Sequence, residues 1–185
     1  MDIHTKPISL PQGARDHLEK YWLLARRFYE KNDFALASFF AITLIEEVGK
    51  IIILGNKDLS GKLDKRSFYN HEQKYIYAVG MTLEVNARVK RIYGREESRF
   101  AKWFRDGDLF KIRNSSIYIE IDNGRVQVPA DSISRADSFL LVCISGEIYG
   151  EIQGLYSGTG PTEWQRIIKE ADEFRENNQA NLHSA

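Results

Sequence analysis

The stretch from Phe34 to Leu54, FALASFFAITLIEEVGKIIIL, constrains the fold more than any other. At 100° per residue, Ala37, Phe40, Ala41, Leu44, Val48 and Ile51 share one side of a helix. Phe39, Ile42 and Ile53 cover much of the opposite side, so one amphipathic face does not describe it. A helix that is apolar nearly all round is central and buried. Its polar residues, Thr43, Glu46, Glu47 and Lys50, fall in one narrow stripe. Carboxylates and an ammonium in such a helix are costly unless they are paired or line a cleft. Two readings follow: an i,i+4 pair of Glu46 with Lys50 on a solvated strip, or the floor of a groove.

The rest of the chain supplies enough residues to surround that helix. At 185 residues it suits one domain, 1–185, with a real core. Lys plus Arg and Asp plus Glu are 26 each, so no global charge signals nucleic acid. The one cysteine, Cys143, excludes an internal disulfide and fits a reducing cytoplasm. Its apolar neighbours, FLLVCISG, suit a packed core thiol better than a nucleophile. MDIHTKPISL lacks the marks of a signal peptide, and no apolar run reaches membrane-spanning length. The expectation is a soluble cytoplasmic protein that does not enter a membrane.

In chain order, a helix is expected from Pro11–Gln12 to about Lys31, with Leu18, Trp22, Ala25 and Phe28 or Tyr29 inward. Asn32 and Asp33 break it, and Asp33 suits the N-cap of the central helix. Gly55–Asn56 reads as that helix's C-cap, followed by a polar loop, GNKDLSGKLD. A third helix spans about Lys65 to Tyr93, with Ala78, Met81, Val85 and Val89 as its stripe. A fourth, about Glu96 to Ser115, is interrupted near Asp106–Gly107–Asp108. Alternation in Tyr118–Asp122 and Arg125–Val128 around Asn123–Gly124 predicts a β-hairpin, which Pro129 ends. Helix resumes from about Asp131 to Tyr156. After a Gly158–Thr159–Gly160 helix entry, a last helix with Pro161 at N1 carries Trp164, Ile167, Ile168, Ala171 and Phe174 to about Asn178. Residues 179–185 read as a frayed tail. The fold class is an all-α bundle with one small hairpin near 118–128.

Familiar catalytic motifs are absent. The four histidines, His4, His17, His71 and His183, are dispersed, and no Cys pair or Glu-x-x-His motif offers a metal site. No phosphate loop or nucleophile elbow occurs, and no cofactor is implied. Two local features remain. His71 and Lys74 sit at i,i+3 and share a helix face, as a surface pair or as two groups reaching one groove. Arg113–Asn114 closes a helix just before the hairpin, where it could bind an anion or clamp backbone carbonyls. Between Val85 and Arg113 there are nine Lys or Arg against four acids, interleaved with Tyr93, Trp103 and Phe104. That composition suits either an RNA-binding face or a solvated helix surface with its aromatics in the core.

Taken in order, Ile-Glu-Glu-x-Gly-Lys (Ile45 to Lys50), Phe-x-x-His-x-x-Lys (Phe68 to Lys74), and a basic helix end running into Tyr-Ile-x-Ile-Asp and Val-Pro resemble the AbiV family of abortive infection proteins. That family belongs to the HEPN superfamily, and the resemblance spans roughly Phe34 to Glu151. It implies a helical bundle, usually dimeric, often acting as a metal-independent ribonuclease in defence against phage. The superfamily motif is Arg, four to six residues, then His, often with Asn after the Arg. Arg113 and Asn114 match its first part, but the four-residue spacer reaches Tyr118 rather than His. With a pKa near 10, a tyrosine is a poor general base at neutral pH. Either His71 substitutes from another helix, or the protein binds without cutting.

Two functions are therefore carried forward. In the first, an endoribonuclease or RNA-binding effector, Arg113 binds phosphate, Asn114 and Tyr118 orient it, Glu47 and Lys50 line the groove, and His71 carries the proton. In the second, a non-catalytic module docks a phage or host protein through the same groove, with Glu46, Glu47, Lys50 and Arg113 as a structural network holding helix ends to the hairpin. The expected partners are a second copy of the chain, RNA, or a phage-encoded protein.

Overall fold

The computed structural model describes residues 10–82, 90–91, 99–122, 124–156 and 160–179. Helix α1 (Gln12–Glu30) buries Leu18, Trp22, Ala25 and Tyr29, the stripe its spacing predicts. Asn32 adopts φ 61° to turn the chain, and Asp33 Oδ1 accepts from Leu36 N at 3.0 Å, capping α2 (Phe34–Ser60). These two helices pack as a hairpin, and α2 also meets the helices His71–Thr82 and Arg135–Tyr156.

Helix α2 does not stop at Gly55–Asn56. It runs to Ser60, so the expected polar loop shrinks to residues 61–64. A helical glycine costs about 1 kcal/mol against alanine. Burial of Ile52, Ile53 and Gly55 against the bundle outweighs that local preference.

The expected long third helix is instead two. Helix α3 (Lys65–Tyr69) is capped by Asp64, which accepts from Ser67 N at 3.1 Å. Asn70 then turns extended (φ −90°, ψ 122°), and its side chain accepts from Gln73 N at 3.0 Å to start α4 (His71–Thr82). A good N-cap inside an apolar pattern ends one helix and begins the next. Ala78 is buried as expected. The side chains of Met81, Val85 and Val89 lie outside the described residues. Residues 99–105 are helical, and the expected break falls at 106–107, where Gly107 takes φ 73°. Helix α5 (Asp108–Ser115) follows.

The hairpin forms from β1 (Glu120–Asp122) and β2 (Arg125–Gln127), antiparallel, with Ile121 opposite Val126. Gly124 adopts φ 77° in its turn. The expected helix from Asp131 is interrupted: α6 (Pro129–Ser132) is a single turn, and α7 (Arg135–Tyr156) starts afresh. Ser134 Oγ accepts from Asp137 N and donates to Asp137 Oδ2, at 3.1 and 2.6 Å, a reciprocal cap that fixes this start. Helix α8 (Gly160–Gln179) begins one residue before Pro161 and buries Ile167, Ile168, Ala171 and Phe174.

The core runs through α1, α2, α4, α7 and α8. Centrality is shared: every residue from Ser138 to Gly150 of α7 is buried, including Cys143 at 1% exposure. The molecule is an all-α bundle carrying one two-stranded hairpin. Among the described residues, no helix is long and apolar enough to cross a membrane.

Close approach of α2 and α4 depends on Gly49. A Cβ there would stand 2.0 Å from the Lys74 carbonyl oxygen, backbone that cannot give way without moving α4. Gly49→Ala should therefore cost about 2–3 kcal/mol in urea unfolding. At Gly13 a Cβ would meet nothing within 4 Å, and Gly13→Ala should be neutral or stabilise by about 0.5–1 kcal/mol.

Candidate functional site

Glu46 projects from α2 into the space that Gly49 leaves between the helices. Its side chain is only 5% exposed. Lys74, from the first turn of α4 and equally buried, donates to Glu46 Oε1 at 2.7 Å. His71 Nδ1, at the start of the same helix, lies 2.9 Å from Glu46 Oε2. Arg113 Nε, near the end of α5, lies 3.6 Å from that same oxygen. Lys50 Nζ stands 3.9 Å from Glu46 Oε1 and pairs with Glu47 Oε1 at 2.6 Å. Three separate helices thus converge on one buried carboxylate.

The i,i+4 spacing of Glu46 and Lys50 is present, but their contact is the longer of Lys50's two. Both Glu47 and Lys50 remain partly open, at 22% and 28% exposure. The polar stripe of α2 is therefore buried at Glu46 and open at its edge. Against two carboxylates stand three permanent cations and one imidazole, so the site carries surplus positive charge.

Burial pushes the Glu46 carboxyl up, but the hydrogen bond from Lys74 and the closeness of His71 outweigh it. The group is held below the usual carboxylate range. Burial raises the neighbouring Tyr75 hydroxyl further above its ordinary value, and the Glu46 charge adds to the effect. Tyr75 is 3% exposed and stays neutral beside the carboxylate.

Three further residues shape the site. The Arg113 guanidinium lies over the Phe39 ring, 5.4 Å from its centroid. Its Nη1 donates to Asn114 Oδ1 at 3.4 Å. Phe110 packs against the His71 imidazole, with ring centroids 5.0 Å apart. Phe39, Tyr75 and Phe110 are not singled out by the sequence, because an aromatic on a bundle helix reads as ordinary packing. Phe39 did carry one signal, standing seven residues before Glu46 and so on the same helix face.

Of the residues predicted from sequence, Glu46, Glu47, Lys50, His71, Lys74, Arg113 and Asn114 come together. Tyr118 does not join them: its backbone N bonds to Asn114 O at 2.9 Å, but its side chain is 59% exposed, outside the ring of groups around Glu46. The basic run divides too. Trp103 and Phe104 pack partly buried against the core, and Arg99 pairs with Asp137 and stacks on Trp103. Lys111 pairs with Asp108 at 2.7 Å, while Lys90, Arg91 and Lys102 are exposed. Arg88, Tyr93 and Arg95 lie outside the described residues. Among the described residues, no three His, Cys, Asp or Glu side chains are grouped to hold a metal.

A carboxyl whose pKa is lowered on folding contributes stability that is fully present above its unfolded value, near 4.5, and lost as pH falls through the folded one. Glu46→Gln should therefore cost about 3 kcal/mol at pH 7, because it strips a buried pair of one partner. Urea unfolding of both proteins at descending pH should show the gap closing below about pH 4.

No curated protein and no solved structure matches the chain. A family model, described as AbiV and carrying the HEPN label, matches residues 9–150. That span takes in α1 to α6 and most of α7, together with every residue around Glu46. The chain accordingly belongs to the AbiV family of HEPN proteins.

Proposed function

We propose that this protein acts in abortive infection against phage as a metal-independent endoribonuclease. The observation that carries the reading is the setting of His71. Its Nδ1 is buried against Glu46, so the ring's 38% exposure belongs to its remaining edge, beside a partly open Arg113. A carboxylate on one imidazole nitrogen orients the ring and leaves the other nitrogen to move a proton. His71 then takes the proton of a ribose 2′-hydroxyl. The 2′-oxygen attacks phosphorus, the bond to the 5′-oxygen breaks, and water protonates the leaving oxygen. Arg113 and Lys50, 21% and 28% exposed, steady the phosphate. Asn114 holds Arg113, and Tyr118 lies at the margin as an orienting contact. Lys74 is too buried to meet RNA and serves to hold Glu46.

Purified protein incubated with total RNA in EDTA should yield fragments ending in a 2′,3′-cyclic phosphate. His71→Ala should slow cleavage by about 10²- to 10⁴-fold. Arg113→Ala should abolish it, while Tyr118→Phe should leave the rate within about threefold. Intact RNA with the wild type, or an unchanged rate in His71→Ala, would sink the assignment.

A second reading, a non-catalytic module that docks a phage or host protein, is favoured by the hairpin. Ile121 and Val126 face each other across the strands, and Ile119 and Val128 fall on the same side by alternation. Their exposures of 76, 66, 68 and 37% leave an apolar face uncovered, as interaction surfaces are. The same face suits the expected homodimer. Light scattering at micromolar concentration should then give twice the chain mass of 21.4 kDa, and Ile121→Asp should return a monomer.

A further inference from the structure

A second polar cleft lies between α1, α7 and α8 and shares no residue with the Glu46 cluster. Its volume is about 490 Å³, within the range of small-molecule sites. Arg15 and Glu19 line it from α1, Tyr149 and Gln153 from α7, and Glu163 and Arg166 from α8. Gln153 is the anomaly. It is 2% exposed, yet among the described residues neither its amide nitrogen nor its amide oxygen meets a hydrogen-bonding group. A buried amide left unpaired costs about 1–3 kcal/mol, and native proteins rarely keep one without a use.

The other groups define what could satisfy it. Arg166 is saturated: Glu19 Oε1 at 3.0 Å, Glu163 Oε2 at 3.1 Å and Glu170 Oε1 at 2.9 Å surround its guanidinium. Glu19 and Glu163 each spend one oxygen on it and keep the other. Arg15 gives Nε to Leu10 O at 3.0 Å and forms no ion pair among the described residues. The cleft therefore offers carboxylate acceptors, the remaining guanidinium donors of Arg15 and an amide that both donates and accepts.

From this we infer that the α1–α7–α8 cleft binds a guanine base, as a nucleoside rather than a nucleotide. Guanine places two neighbouring N–H donors on one edge and two acceptors, O6 and N7, on the next. Carboxylate oxygens of Glu19 or Glu163 take the donors, and Arg15 with the Gln153 amide serves the acceptors, as arginine does in reading guanine. Adenine lacks the N1–H donor and turns a lone pair toward the carboxylates. A 5′-phosphate brings further negative charge to a cleft already lined by the carboxylates of Asp16, Glu19 and Glu163.

Thermal-shift measurements and calorimetric titration with guanosine, adenosine, cytidine, uridine and guanosine 5′-monophosphate test this on the full chain. Guanosine at about ten times its Kd should raise Tm by about 3–5 °C, with the other four smaller by at least half. Gln153→Leu should lose that shift while its ligand-free Tm stays equal or rises, because an unpaired amide is replaced by an apolar side chain. Glu163→Gln should weaken guanosine about tenfold or more. A wild type that responds to no nucleoside overturns the proposal, since the cleft then holds only water. So does an equal response to adenosine, or a guanosine shift that survives Gln153→Leu.

Discussion

One buried carboxylate governs the architecture of this protein. Glu46 cannot stay ionised at 5% exposure without cations at contact distance. The cations come from other elements: Lys74 and His71 from α4, and Arg113 from α5. Satisfying that charge fixes the positions of α2, α4 and α5 relative to one another. Removing any one partner leaves the rest mismatched, so the cluster acts as a unit.

Two backbone features make the arrangement possible. Gly49 lets α4 approach until a side-chain carbon would collide with the Lys74 carbonyl oxygen. Asn70 interrupts the preceding helix and restarts it so that His71 and Lys74 begin a new one, on the side facing Glu46. A continuous helix through Asn70 would have carried both residues past the carboxylate in a different direction. The Glu-Glu-x-Gly-Lys pattern is thus one device: a charge, and the space that lets its partners in.

Surplus positive charge and a half-open imidazole are the two features of the cluster on which the proposed chemistry rests. Elsewhere the bundle carries two surfaces that its own packing does not explain. The hairpin presents four aliphatic side chains on one side, and the α1–α7–α8 cleft buries an amide without a bonding group among the described residues. An isolated two-stranded hairpin is marginal in water, so an apolar face on one is the kind of surface a partner covers. These features lie on different elements and can be tested independently.

The helical periodicities, the Asp33 cap, the Asn-Gly hairpin signal and the narrow polar stripe of α2 are local properties. They determined the fold class and, with the His71–Lys74 spacing and the Arg113–Asn114 helix end, picked out Glu46 and six of the residues gathered near it. Local signals misled where packing opposed them. Gly55 reads as a helix stop, yet burial carries α2 through to Ser60. Asn70 falls inside a span that reads as one long helix, yet its side chain ends one helix and starts the next. Tyr118 takes the place of a motif histidine by counting residues, but the chain turns outward after α5 and leaves it in solvent. The pairing partner of Glu46 was the clearest decision of tertiary structure. Spacing along one helix offers Lys50, but only the approach of a second helix brings Lys74 to 2.7 Å, because a buried charge is satisfied by the nearest desolvated cation, whichever segment supplies it.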